Sequence, residues 1–508
     1  MTGRVRWWVL TAVSLATLMT YLDNNVMNVA LPTIQHSLHL SVSGLEWIVS
    51  SYLLVLGGLL LVGGRLADMF GRRRVFMIGL AVFTLASLAA GLAGSGGVLI
   101  AARSVQGLGA AALMPTTLAI IAATFTDAKE RTAAIGIWGA IGALGLALGP
   151  VIGGLVSQHL HWGWIFLINV PIGVITAAIG WPTIAESHGR TEGAGMKLDV
   201  PGLVSSAAGL FALTYALIQG QDIGWTSGQV VACFAVAAVA FPVFLVIEAR
   251  SEHPMVPLPI FRSAPFSGGL GTMMIWSFGV LGIYFFTSLY LQQILGFSPT
   301  KAGLAFVPMA LCIAFAAVVS PRVVGWIGQH RTVALGMAMM TVGLIPILRL
   351  GTTATFSDMM PGFALFGLGA GLMNVPVTNA IVAGVPASQS GIASALLNAS
   401  REIASLLGVT VVGAVLNARK GTELRAGTNP LQAFVDGYHA GLWLTIALLA
   451  AGVVISYVTL RPRRAAAEPL AGLVADGTAL AGPVQANRVP GQPGEPAQHR
   501  PASQADIS

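Results

Sequence analysis

Charged side chains are scarce in this chain. Asp, Glu, Lys and Arg make up 9% of its 508 residues, whereas 55% are hydrophobic. A soluble domain carries roughly 25% charged residues, so a water-exposed globule is excluded as the main architecture. Cysteine is nearly absent. Cys233 and Cys312 stand alone in apolar stretches, which excludes a disulfide framework, implies no metal site and leaves packing as their role. No Gly-x-x-x-x-Gly-Lys-Ser/Thr run occurs, so the chain shows no sign of its own nucleotide chemistry. No loop pairs His with Asp, as a polytopic membrane enzyme would need. The net charge of +7 is spread over short loops rather than gathered in a patch, so nucleic-acid binding is not expected.

Long apolar runs fill the space left by the missing charge. Each is long enough to cross roughly 30 Å of hydrocarbon as a helix. There are about fourteen, from 8–30 and 46–64 near the start to 392–417 and 438–460 near the end, with ends good to a few residues. Arg4 and Arg6 precede the first run as in a signal peptide, but the run is too long for one and is read as a retained helix. With the N-terminus inside, most loop Lys and Arg fall on one side, while Lys301, Arg349, Arg419, Lys420 and Arg425 break the pattern. Early loops usually set orientation, and an even span count then places both termini in the cytoplasm. The tail beyond about Ala465 is rich in Pro, Gly, Ala and Gln without apolar period, a composition of disorder.

An internal repeat divides the chain. Gly63 to Arg74 aligns without gaps on Ser320 to Arg331. Gly107-Leu108-Gly109-Ala110 recurs as Gly367-Leu368-Gly369-Ala370, and Leu148-Gly149 as Leu407-Gly408. The expected architecture is all-α and polytopic. It has a short N-terminus (1–7), a six-helix bundle (8–184), two additional helices with flanking loops (185–265), a second six-helix bundle (266–460) and a tail (461–508). Such repeats are a hallmark of secondary transporters, with the substrate site between the halves. The halves are unequal. Asp68 becomes Gly325, Arg103 becomes Phe363 and Pro150 becomes Val409, and no Asp or Glu occurs from His253 to Ser357. Proton-handling groups and the gate are therefore expected in the first half.

Asp23 is the acid to explain, because a carboxylate at membrane depth must be paired, wetted or protonated. At 1.5 Å per residue, Asp23 of span one and Arg103 of span four both lie about 8 Å below the outer boundary, so they can pair. A guanidinium in contact favours the carboxylate, and dry surroundings favour the acid. A group that alternates between the two binds and releases protons; the alternative is a permanent pair that only fixes packing. At the inner edge stand Gly64, Asp68, Gly71, Arg72 and Arg73, with Asp127 and Arg131 after span four as possible partners; Arg73 and Arg74 can equally be positive-inside anchors. Gly145, Gly149, Gly153 and Gly154 form a small-residue face around Pro150, suited to a hinge and proton seal or to plain tight packing. Arg401 and Glu402 lie near the midplane as a second acidic site or as a structural couple. Asn374 and Asn379, with Trp138, Trp276, Phe278, Tyr284, Phe285 and Tyr290, are candidates for a cavity wall, and Met337, Met339 and Met340 for packing.

These residues carry a resemblance. Gly64-x-Leu66-Ala67-Asp68-x-x-Gly71-Arg72-Arg73 is similar to the signature loop between helices two and three of the major facilitator superfamily. Arg103-x-x-Gln106-Gly107-x-Gly109-Ala110-Ala111 resembles its helix-four motif, and Gly145-x-x-x-Gly149-Pro150-x-x-Gly153-Gly154 its antiporter motif. Leu22-Asp23 with Asn28 to Pro32, and Trp164 to Gly173 including Asn169, resemble stretches of the fourteen-helix drug:proton antiporters of the EmrB/QacA type. Asn24 and Asn25 depart from the small or β-branched residues common after that aspartate. The resemblance covers about residues 10–460. It implies export of amphipathic or aromatic drugs, dyes or antibiotics across a bacterial cytoplasmic membrane by a monomer. Protons would drive it, with no cofactor, and Asp68 and Arg72 would form a gate latch. Another secondary transporter, importing a metabolite or moving a native lipid or siderophore, is the alternative; a polytopic enzyme and a transport-derived sensor are the others.

Overall fold

The computed structural model describes residues 3–188, 199–252, 254–385 and 390–461. The tail expected to be disordered lies outside them, as do Arg190 and Lys197 of the expected inner loops. Fourteen long helices follow one another: α1 Gly3–Leu38, α2 Val42–Phe70, α3 Arg72–Gly91, α4 Gly96–Thr124, α5 Ala128–His159, α6 Trp164–Thr183, α7 Val200–Ile223, α8 Gly228–Arg250, α9 Ala264–Ile294, α10 Pro299–Ile327, α11 Gln329–Arg349, α12 Phe356–Ala383, α13 Ser390–Arg425 and α14 Pro430–Thr459. No strand occurs among the described residues. Thirteen of the helices are long and apolar enough to cross a membrane. The other, α5, has the length, at 32 residues.

Local chemistry sets the helix ends. Ser41, Ser95, Ser227 and Ser298 each accept a hydrogen bond from the backbone N–H three residues on, and Thr355 with Asp358 closes a capping box. Gly71, at φ 103°, breaks α2 from α3 in a conformation that L side chains resist. The helices overrun their apolar cores. Span one, expected over 8–30, continues through Pro32 to Leu38, and span thirteen, expected over 392–417, continues to Arg425. Arg419 and Arg425, expected in an outer loop, are thus helical, and Arg419 pairs with Glu423 one turn on at 2.7 Å. Apolarity marks the thickness of the lipid, whereas backbone hydrogen bonds extend the helix beyond it.

One packing pattern occurs twice. In the first six helices α1 packs on α5 and α6, α4 on α2 and α3, and α3 on α6. In the last six α9 packs on α13 and α14, α12 on α10 and α11, and α11 on α14. The pair α7–α8 packs on itself and rests on α2 and α13. Its outer helix α8 exposes Val231, Val236, Val239, Val243, Leu245 and Val246, an apolar face suited to lipid. The two halves meet along α2 with α13 and α5 with α10.

Candidate functional site

Asp23 and Arg103 are in contact. Arg103 Nη1 donates to Asp23 Oδ2 at 2.5 Å, and both side chains are wholly buried. Four further polar groups complete the knot. Gln106 Nε2 and Asn169 Nδ2 donate to Asp23 Oδ1 at 2.7 and 2.8 Å, Gln106 Nε2 also reaches Ser87 Oγ at 2.8 Å, and Arg103 Nη1 reaches Gln106 Oε1 at 2.8 Å. Arg103 Nε donates to the Ile48 carbonyl at 3.3 Å, and the guanidinium lies 4.2 Å from the Tyr52 ring centre. Spacing on α4 explains the local arrangement: Arg103 and Gln106 are three residues apart and share one helix face. Gln106 and Asn169 belong to the quoted motif stretches, but Ser87 carries no signal in the sequence. Every member of the knot sits in the first half.

A cavity of about 840 Å³ begins one helical turn from Asp23. Thr17, Thr20, Tyr21, Gly64, Asp68, Arg72, Arg131 and Trp138 line it from the first half, and Val382, Ile392, Ser394, Ala395 and Asn398 from the second. It lies between the halves toward the end of the bundle that carries Arg72. The opposite end is shut. There Gln293 Nε2 donates to Gln35 Oε1 at 2.6 Å and Gln292 Nε2 to the Val29 carbonyl at 2.8 Å, both across the seam between the halves.

The gate motif is assembled at the open end. Arg72 Nη2 meets Asp68 Oδ1 at 3.0 Å within the motif itself, and Arg72 Nη1 donates to the Ala119 carbonyl at 3.4 Å. Among the described residues Arg131 forms no ion pair with Asp68, although both line the cavity. Asp127 instead caps α5, accepting from Glu130 N at 3.0 Å. Glu186, absent from the sequence reading, closes this corner. Its carboxylate accepts from Arg73 N and Arg74 N at 3.0 and 3.2 Å, so it caps α3. Arg73 donates to the Trp181 carbonyl at 2.7 Å. Glu186→Ala is expected to cost about 1 kcal/mol, the typical value of an N-cap, read as a lowered Tm of the purified protein.

The glycine face of α5 is a contact surface on both sides. A Cβ at Gly149 would stand 2.5 Å from Asn25 Cβ of α1, and one at Gly154 would stand 2.5 Å from the Pro299 carbonyl of α10. Gly145 and Gly153 also face α1. Pro150 lies inside the helix beside this face. The four glycines thus let one helix touch both halves at the shut end.

The second half departs further from expectation. Arg401 lies 5.4 Å from the Trp276 ring centre, while Glu402 sits against Gly57 of α2. Among the described residues no ion pair joins Arg401 to Glu402; neighbours on a helix point about 100° apart. Both stand one turn beyond Asn398 of the cavity wall and do not line it. Asn374 and Asn379 are not in the wall either, and Asn379 is exposed. Of the aromatic candidates only Trp138 lines the cavity, and it donates to Thr17 Oγ1 at 2.6 Å. Phe278, Tyr284, Phe285 and Tyr290 are core, with Tyr284 stacked on Phe306 at 4.1 Å. Met337 and Met340 are fully buried core residues. Glu46 is among the buried helix acids that escaped the sequence reading. Glu46 stood at the edge of span two, but α2 begins at Val42, and Glu46 is buried one turn inside it.

Comparison with known proteins bears on this geometry. The family model of the Major Facilitator Superfamily matches residues 13–409. "Multidrug resistance protein Stp" of Mycobacterium tuberculosis is 36% identical over 85% of this chain and 81% of its own. "Puromycin resistance protein pur8" of Streptomyces alboniger is 33% identical over 91% and 93%. "Tetracenomycin C resistance and export protein" of Streptomyces glaucescens is 34% identical over 82% and 77%. Among solved structures, a bacterial homologue of the human lysosomal transporter Spinster, inward-facing and unoccupied, superposes with TM-score 0.64 at 18% identity, covering 91% of this chain and 98% of that one. That likeness bears on the fold. With the twofold helix pattern and the motif residues gathered at one seam, these matches identify the chain as a multi-pass membrane protein that belongs to the Major Facilitator Superfamily.

Proposed function

We propose that the protein exports amphipathic or aromatic drugs or antibiotics across the bacterial cytoplasmic membrane in exchange for protons, and so confers resistance. On this reading the Arg72 end faces the cytoplasm, both termini are inside, and a monomer open to the inside is the state described. The cavity takes up substrate from the cytoplasm, and the shut end opens to release it. Relatives named for resistance and export support the substrate class. The single observation that carries the proton is the Asp23–Arg103 pair, dry and one turn from the cavity wall. An ionised Asp23 accepts all three donors; a proton on it removes the ion pair and frees Arg103 to reorient. Movement of α1 against α5 then links protonation to the seam. No bound cofactor is needed, because a potential of about 150–200 mV supplies roughly 3.5–4.5 kcal/mol per proton.

Efflux into inverted membrane vesicles tests this with a panel of antibiotics and dyes. Accumulation is expected to collapse on adding an uncoupler. Uncoupler-insensitive accumulation removes the proton mechanism. Unchanged drug tolerance on deletion, with lost growth on one nutrient, points instead to a metabolite transporter.

A further inference from the structure

Glu46 is the acid for which the mechanism above has no use. Its side chain is fully buried, and it crosses from α2 of the first half to α13 of the second. The carboxyl group lies directly on Gly413, where any side chain would collide with it, so the glycine forms a niche for the acid. Hydrogen bonding in that niche is poor. Asn417 Nδ2 approaches Oε1 only to 3.5 Å, and Oε2 has no partner. No cation pairs with Glu46 among the described residues. The surrounding charges do not supply one. Asp222, at the end of α7, acts on Glu46 as a second negative charge. On α13, Arg419 is paired with Glu423, and Lys420 is turned to the Phe434 ring at 5.8 Å. Arg103 of α4 is paired with Asp23. On α7, Tyr215 packs against the neighbouring Trp47. An ionised carboxylate buried this way without a counter-charge costs several kcal/mol, so the closed niche accepts the neutral acid.

We propose that Glu46 is a second proton-binding site, one that locks the seam between the halves at the shut end. When α2 and α13 part, Glu46 meets outer water and ionises. A proton from that water adds to the carboxylate, the neutral acid enters the Gly413 niche, and the seam closes over it. On reopening, the proton returns to the same side. It is therefore bound but not carried, in contrast to the proton assigned to Asp23. Acid outside favours the state with the outer end shut. The side assigned to this proton rests on the orientation proposed above; the seam and niche do not.

The test uses the full-length protein in nanodiscs, with Asp23→Asn so that Asp23 no longer titrates. Cys233 and Cys312 are replaced by serine, and spin labels at Gln35→Cys and Gln293→Cys report the seam distance. Between about pH 5 and about pH 9 the closed-to-open ratio is expected to fall, by about tenfold per pH unit once Glu46 ionises in the open form. Adding Glu46→Gln is expected to keep the seam closed throughout. His36 and His39 lie near the labels and are present in both proteins, so the difference between them isolates Glu46. Gly413→Ala, which fills the niche, is expected to open the seam at every pH. A pH-independent seam in the Asp23→Asn parent, an unchanged pH profile in Glu46→Gln, or normal closure in Gly413→Ala overturns the proposal. None of these outcomes touches the transport role of Asp23, which is read from efflux.

Discussion

Asp23→Asn is expected to abolish uphill efflux while the protein still folds and inserts, at a lowered Tm because Arg103 stays buried without its counter-charge. The amide keeps an oxygen for Gln106 and Asn169 and nearly the same volume, but it cannot cycle between charged and neutral forms. One proton per cycle at about 3.5–4.5 kcal/mol supports a substrate gradient of roughly three orders of magnitude. The variant is expected to reduce that ratio to about one, so the effect spans the whole gradient. Downhill movement of substrate should survive, because the cavity wall of Thr17, Thr20, Tyr21 and Asn398 is untouched. Measuring substrate inside inverted vesicles at steady state, against expression by immunoblot, checks both halves. Normal uphill efflux in Asp23→Asn would remove Asp23 from the coupling.

Arg103→Met carries the second large expected effect, and it falls on stability. Arg103 is fully buried and contacts Asp23, Gln106, the Ile48 carbonyl and the Tyr52 ring. Removing it leaves Asp23 buried beside donors that carry no full charge. Breaking one side of a buried pair typically costs about 3–5 kcal/mol. A lowered Tm and poor yield are expected. The double variant Asp23→Asn with Arg103→Met should recover most of that stability, since no lone charge remains. It should not recover transport. A double-mutant cycle on Tm and efflux therefore separates the packing role of the pair from its coupling role, the two readings that the sequence leaves open.

Much of the site was legible because its chemistry is expensive in a membrane. A charge such as Asp23 or Arg103 in an apolar run has few permitted explanations, and equal depth along two antiparallel helices pointed to their pairing. The motif around Gly71 was legible for a related reason, since its φ of 103° needs glycine. Glu46 was missed for an instructive reason. An acid at the edge of an apolar run looks like a helix end, and helix ends overrun the apolar core here by several residues. The same overrun displaced Arg419 and Arg425 from loop to helix. Glu186 and Ser87 were invisible because their partners are distant in sequence: Glu186 meets Arg73 and Arg74, and Ser87 meets Gln106 and Asn169. The aromatic wall was misjudged because composition cannot tell a core ring from a cavity ring. Tyr290 stacks on Tyr438 at 5.3 Å and bonds the Gly351 carbonyl, whereas Trp138 turns to the open space.

Proton release on substrate binding tests the role of Asp23 most directly. The purified protein is placed in weakly buffered solution with a pH indicator, and a compound that the vesicle assay shows to be exported is added in excess. About one proton released per substrate bound is expected at a pH where Asp23 is protonated before binding, and none from Asp23→Asn at the same occupancy. Equal release from the two proteins would contradict the assignment of the coupled proton to Asp23.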